Sequence, residues 1–168
     1  MAELSRRGAV AAMAVAGLTP PRALAAPASA GGTGNPKSMA IERFSTTPRN
    51  MKGIPRISYA VARGDMVYTA GVTASVAGAG DAPPHGDVKD QTRQVLAQID
   101  HLLAQAGTDK SKLLTTQVWL TDMAHFADHN DAWNEWVDPD NPPVRACLHS
   151  PHLWREGMLV EIMVTATR

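Results

Sequence analysis

The segment Met158 to Ala166, MLVEIMVTA, narrows the possible folds more than any other stretch of this chain. It is almost wholly apolar, and its length suits a strand and falls far short of a membrane span. A strand apolar on both faces belongs in the middle of a sheet, with neighbours on each edge and cover above it. The remainder of the chain must therefore supply further strands and something to pack on them. Glu161 stands near the middle of this run. A charge buried there without a partner costs several kcal/mol or shifts its pKa until it is neutral.

The other elements follow from changes of period along the chain. Met39 to Phe44 reads as a short edge strand, and an irregular stretch with Pro48, Gly53 and Pro55 follows. Ile57 to Ala62 and Met66 to Thr73 read as strands joined in a hairpin at Arg63-Gly64-Asp65. Residues 74–86 form a loop of Ala, Gly and Pro that lacks both the P-loop ending and a G-x-G-x-x-G spacing. From Val88 to Ala106 apolar residues recur at helical spacing, with Thr92 filling a gap in the stripe. Asp87 suits its N-cap and Gly107 its C-terminal stop.

Leu113 to Leu120 reads as a strand, and Met123 to Val137 as a helix capped by Thr121 or Asp122. Phe126, Asn130, Trp133 and Val137 fall on one face of that helix. Val144 to Ser150 is the next strand, before the apolar segment closes the chain. The order β-β-β-α-β-α-β-β predicts an α+β domain, a mixed six-stranded sheet with two helices on one face.

Residues 1–30 do not belong to that domain. Arg6 and Arg7, the apolar stretch Ala9 to Leu18, and then Pro and small residues follow the order of a secretory signal. Ala23-Leu24-Ala25 and Ala28-Ser29-Ala30 are candidate cleavage sites, and Ser5-Arg6-Arg7 resembles the twin-arginine (Tat) address of proteins exported to the bacterial periplasm. An apolar run of about ten residues is too short for the roughly twenty that span a bilayer. Residues 31–38 read as a flexible leader, and 39–168 as a single domain. The full chain balances 16 Lys+Arg against 16 Asp+Glu. Cleavage after Ala25 would remove Arg6, Arg7, Arg22 and Glu3 and leave a mildly acidic domain. Such a balance argues against binding nucleic acid, whose affinity rests on Lys and Arg that displace counterions. The single Cys, Cys147, excludes an intrachain disulfide framework.

Two charges interrupt apolar strands: Glu161, and Arg145 in PPVRACL. They are either a structural ion pair between neighbouring strands or the walls of a site. In a site, the planar fork of Arg145 suits a substrate carboxylate better than a lysine would. A partly desolvated Glu161 would have its pKa raised toward neutrality, where a general acid or base works. Cys147, two residues on from Arg145, shares its sheet face; a small buried apolar role is the plainer reading of it.

The segments running from Asp90 to Val137, then NPPVRACLHSPHL and LVEIMVTA, resemble the Rid family of reactive-intermediate deaminases. The shared pattern comprises Q-T-R-Q-V-L in the first helix, a Gly at its end, T-D-M, an Asn in the second helix, P-P-x-R and V-E-I. The resemblance extends from about Tyr59 to Ala166. It implies a chorismate-mutase-like fold and a homotrimer with active sites in the clefts between subunits. The implied activity is hydrolysis of 2-imino and 2-enamino acids to 2-oxo acids and ammonia, with no metal or organic cofactor. By the same resemblance Arg145 anchors the substrate carboxylate, Glu161 positions or activates water, Cys147 lines the pocket, Tyr59 closes the cleft, and Asn130 lines it or supports it. The chain departs from the family where Ser-Gly-Gln is replaced by Ala70-Gly71-Val72 and Gly-Pro-Tyr by Ile57-Ser58-Tyr59. A non-catalytic trimeric binder of small carboxylates is the alternative function, and Ala70 and Val72 favour it.

The histidines do not make a metal site by pattern. His125 and His129 are spaced to share a helix face but lack the Glu of H-E-x-x-H, and His149 and His152 straddle Pro151. Trp119, Trp133, Trp136 and Trp154 read as core or subunit-interface aromatics, since no basic residues interleave with them.

Overall fold

A computed structural model of the chain describes residues 39–47, 55–74 and 84–168. The expected export segment 1–30, the expected leader 31–38 and most of the expected 74–86 loop lie outside the described residues. The elements are β1 (Ile41–Thr46), β2 (Ser58–Arg63), β3 (Met66–Thr69), β4 (Val72–Thr73), α1 (Val88–Gln105), β5 (Leu113–Leu120), α2 (Phe126–Trp136), β6 (Val144–His149) and β7 (Val160–Thr167). Short 3-10 turns at Lys110–Lys112 and Met123–His125 lead into β5 and α2.

The sheet runs β1-β2-β3-β7-β5-β6, with β4 also paired to β7. The apolar C-terminal strand is thus central, as its composition requires. β5 and β6 are parallel and all other pairs antiparallel, because α2 carries the chain from β5 back to the start of β6 in a crossover. β6 is left at the sheet's outer edge.

One face of the sheet is closed by the helices. Ala60, Ala62, Val67, Val118, Val160, Ile162 and Val164 lie beneath α1, whose Val95, Leu96, Ile99 and Leu103 are fully buried. The stripe forms where the sequence spacing puts it. Asp87 caps α1 by accepting from Asp90 N at 2.9 Å, and Gly107 ends it at φ +77°, a conformation that costs glycine least.

The sheet has seven strands where the sequence predicts six. The single strand expected over Met66–Thr73 is broken at Ala70-Gly71. Tyr68 pairs with Thr165 and Val72 with Ile162, four residues against three, so the strand carries a bulge with one extra residue. Thr69 makes the break tolerable. Its hydroxyl receives Val164 N–H at 2.9 Å, taking over a bond that the departing backbone gives up.

The second helix also differs. A 3-10 turn capped by Asp122, which accepts from Ala124 N at 2.8 Å, precedes it, and α2 starts at Phe126. Its buried residues are His129, Ala132 and Trp133, whereas Phe126 is exposed. The buried stripe is therefore rotated from the one expected, and it includes a histidine. Trp133 and Trp136 pack on each other, with ring centroids 5.4 Å apart, but Trp154 is 64% exposed and belongs to no core of a single protomer. Among the described residues no helix is long and apolar enough to cross a membrane.

Candidate functional site

β5 is the ruler that places both strand charges. Residues paired directly across a sheet share a face. Arg145 pairs with Thr116, which pairs with Val164; Cys147 pairs with Val118, which pairs with Ile162. Arg145 and Cys147 are therefore on the helix-covered face. Glu161 pairs with Trp119 on β5 and with Thr73 on β4, out of phase with that set. It lies on the opposite face. The ion pair allowed by the sequence does not form, and within one protomer the two residues do not share a cleft.

On the helix side, α2 holds the guanidinium from two directions. Nη1 of Arg145 donates to Asn130 Oδ1 at 2.8 Å, and Cζ sits 4.9 Å from the Trp133 ring centroid, a cation–π contact. Asn130 and Trp133 are i, i+3 on the helix and so form one shelf. Nε and Nη2 of Arg145 are buried and have no hydrogen-bond partner. Burial pulls the guanidinium's pKa down, yet an arginine stays protonated at any pH in question. The result is a fixed, half-satisfied cation, the state that an incoming carboxylate completes.

The Cys147 thiol stands beside this cation and interacts with it. Burial raises its pKa and outweighs the guanidinium's opposing pull. The group is therefore a neutral thiol, suited to lining a pocket and poorly suited to nucleophilic attack.

On the other face, the bulge shapes the surroundings of Glu161. A Cβ placed on Gly71 would lie 1.8 Å from Glu161 Oε1, so the carboxylate occupies the space that any other residue would fill. Partial burial raises the pKa of Glu161. Tyr59 is adjacent: its carbonyl accepts Ala70 N–H at 2.9 Å, and its 38% exposed side chain points away from the core that holds its neighbour Ala60. Trp154 reaches the same region by donating Nε1–H to Thr73 Oγ1 at 3.2 Å.

The five residues expected at a site thus fall into two groups. Arg145, Cys147 and Asn130 lie on one face, and Glu161 and Tyr59 on the other. Two surface concavities lie elsewhere. One runs between α1 and α2 past Arg93, Asp100, Glu135 and Trp136, and the other is walled by residues 151–159; neither includes Arg145 or Glu161. Trp133 and Gly71 were not singled out as site residues from the sequence. Trp133 could have been found from its i, i+3 spacing to Asn130, whereas Gly71 needed the bulge.

Comparison with known proteins bears on the same architecture. The family model described as Endoribonuclease L-PSP matches residues 48–168. A RutC family protein of Haemophilus ducreyi is 45% identical over 80 residues, 48% of this chain and 68% of that protein. One from Pyrococcus horikoshii is 32% identical over 115 residues, 68% of this chain and 89% of that protein. Among solved structures, a member of the YjgF protein family from Neisseria meningitidis superposes with a TM-score of 0.65 at 35% identity, over 77% of this chain and 96% of its own. A protein of the conserved Rid family from Yersinia pestis gives a TM-score of 0.66 at 30% identity, over 77% and 100%. The fold, the extent of the match and the level of identity agree, and the chain belongs to this Endoribonuclease L-PSP family, which takes in the RutC, YjgF and Rid proteins.

Proposed function

We propose that the protein hydrolyses 2-imino and 2-enamino acids to 2-oxo acids and ammonia, as an exported, periplasmic homotrimer whose sites each draw on two subunits. One observation carries the reading: Arg145 is held rigidly by Asn130 and Trp133 while two of its nitrogens lack partners. A planar, pre-positioned cation with free donors fits a small carboxylate. The separation of Arg145 and Glu161 on opposite faces supports the subunit arrangement, because only a second copy can bring a Glu161 face up to an Arg145 face. The open face also carries exposed Tyr59, Tyr68, Val144 and Leu148, apolar surface that a subunit contact would cover.

In this reading Arg145 fixes the substrate carboxylate and so orients the adjacent imine carbon. That carbon is already electrophilic. Glu161, as its carboxylate, takes a proton from the attacking water and delivers it to the nitrogen, giving a carbinolamine; it then takes the new hydroxyl's proton and passes it to the same nitrogen, so that the carbon–nitrogen bond breaks and ammonia leaves as the carbonyl forms. Its raised pKa brings proton transfer closer to neutral pH. Cys147 and Tyr59 shape the walls. These steps use protein groups and water alone.

The test is ammonia release from freshly generated 2-iminopropanoate. Arg145→Ala and Glu161→Gln should each slow hydrolysis by about a hundredfold or more. A wild-type rate no faster than the buffer reaction would sink the deaminase reading. Ala70 and Val72, where the family pattern has a hydroxyl and an amide, favour a second reading as a non-catalytic carboxylate binder. It predicts saturable 2-oxo acid binding without ammonia release. The family description also names an endoribonuclease, but the balanced charge of this chain gives RNA binding little support.

A further inference from the structure

Glu161 stands in a row of side chains that crosses the open face of the sheet. Leu148 on β6 pairs with Trp119 on β5, Trp119 with Glu161 on β7, and Glu161 with Thr73 on β4. Residues paired directly across a sheet point to the same side. The carboxylate therefore has an indole as its neighbour on one strand and a hydroxyl on the other, and it is the one charge in that row. Tyr59 lies on the same face, next to the bulge.

Trp154 extends this row from outside the sheet. It belongs to the connection between β6 and β7, and its Nε1–H donates to Thr73 Oγ1 at 3.2 Å. The Arg155 guanidinium lies over its ring, with Cζ 4.5 Å from the centroid. A hydrogen bond at the edge and a cation at the face hold the ring in one plane, yet the residue is 64% exposed. Such a surface suits a ligand, because the ring is ordered before anything binds. Trp154 also walls a concavity of about 580 Å3 together with Thr121, Pro151, His152, Met158 and Leu159. It thus borders both that hollow and the Glu161 row.

We propose that Trp154 is the specificity residue on the Glu161 side: its ring receives the side chain of the substrate, and the preferred substrates are 2-imino acids with an aromatic or large apolar side chain. This inference rests on the deaminase reading above and names its substrate class. In that reading Arg145 of one subunit takes the carboxylate and Glu161 of another works at the adjacent carbon. The substituent on that carbon then lies against the Glu161 face, where Trp119 and Trp154 flank the carboxylate. An aromatic or branched apolar group gains contact area and ring stacking there. A methyl group is too small to reach the ring, and an acidic side chain meets the charge of Glu161.

The experiment measures kcat/KM for ammonia release by the full chain from three freshly generated imines: 2-imino-3-phenylpropanoate, 2-iminopropanoate and 2-iminopentanedioate. Wild type should favour the phenyl substrate over the methyl one by about tenfold or more, and Trp154→Ala should bring that ratio to within about threefold of unity. Thr73→Val, which removes the acceptor that holds the ring, should lower the ratio in the same direction. A Trp154 that served only a subunit contact would lower both rates together and leave the ratio where it was, which would overturn the proposal. So would a wild-type preference for the methyl or the acidic substrate. In each of those cases hydrolysis itself still stands. If wild type hydrolyses none of the three, calorimetric binding of 2-oxo-3-phenylpropanoate and 2-oxopropanoate decides. A tenfold preference for the phenyl acid that is lost in Trp154→Ala keeps the role of Trp154 while the deaminase reading falls; no preference removes both.

Discussion

His129 ties stability to pH with a definite sign. Its pKa falls from 6.5 to about 4 on folding, with burial the larger cause and Arg145 the second. Between those values the unfolded chain binds a proton that the folded chain refuses. The contribution is therefore complete above about pH 6.5 and is lost as the pH falls toward 4, by about 3 kcal/mol at most. Glu161 works in the opposite direction, since its folded pKa is raised and protonation relieves its burial. Urea midpoints measured from pH 7 to pH 4.5 should fall less steeply in His129→Gln than in wild type. Parallel curves would show that His129 is not the group responsible. The sequence hinted at this residue through Thr92, a polar side chain in the apolar stripe of the first helix. It could not show that the partner of Thr92 was a histidine on another helix.

At the scale of elements, Gln91 joins α1 to the connection that leads into β7. It is 1% exposed, donates Nε2–H to Gly157 O at 2.9 Å and accepts Leu159 N–H on Oε1 at 2.9 Å. Gln91→Leu keeps comparable bulk but leaves both backbone groups without these partners. It should cost about 2 to 3 kcal/mol, read as a lowered urea midpoint, with faster hydrogen exchange at Leu159 N–H. An unchanged midpoint would mean that water replaces the side chain without loss. Because Leu159 is two residues from Glu161, hydrolysis should weaken along with stability. The bulge at Ala70-Gly71 acts at the same scale, since it clears the space in which the Glu161 carboxylate rests. Within the run from Met66 to Thr73 only Gly71 hints at it, because the break is defined by pairing with β7, distant in the chain.

For the whole molecule, the opposite-face placement of Arg145 and Glu161 makes a prediction that a one-protomer site does not share. Arg145→Ala and Glu161→Gln protomers, each inactive alone, should regain activity when unfolded together and refolded as mixed trimers. Random mixing at equal amounts gives about a quarter of the sites an intact Arg145 from one subunit and an intact Glu161 from the next. Activity near that fraction of wild type supports the shared site. No recovery in trimers shown to be mixed would refute it, and a monomer by light scattering would remove the arrangement altogether.

The sequence by itself determined the order of elements, the central place of the last strand, the capping and end of α1, and the family. All of these rest on local spacing, on composition or on motifs contiguous in the chain. It also picked out Arg145 and Glu161, because a charge in an apolar strand is visible without coordinates. Only the tertiary structure decided which sheet face each charge occupies. A strand's alternation defines two faces but does not say which one the helices cover, and that depends on register across β6, β5 and β7. The same register set Arg145 and Glu161 on opposite faces, a relation between strands distant in the chain that no local spacing encodes.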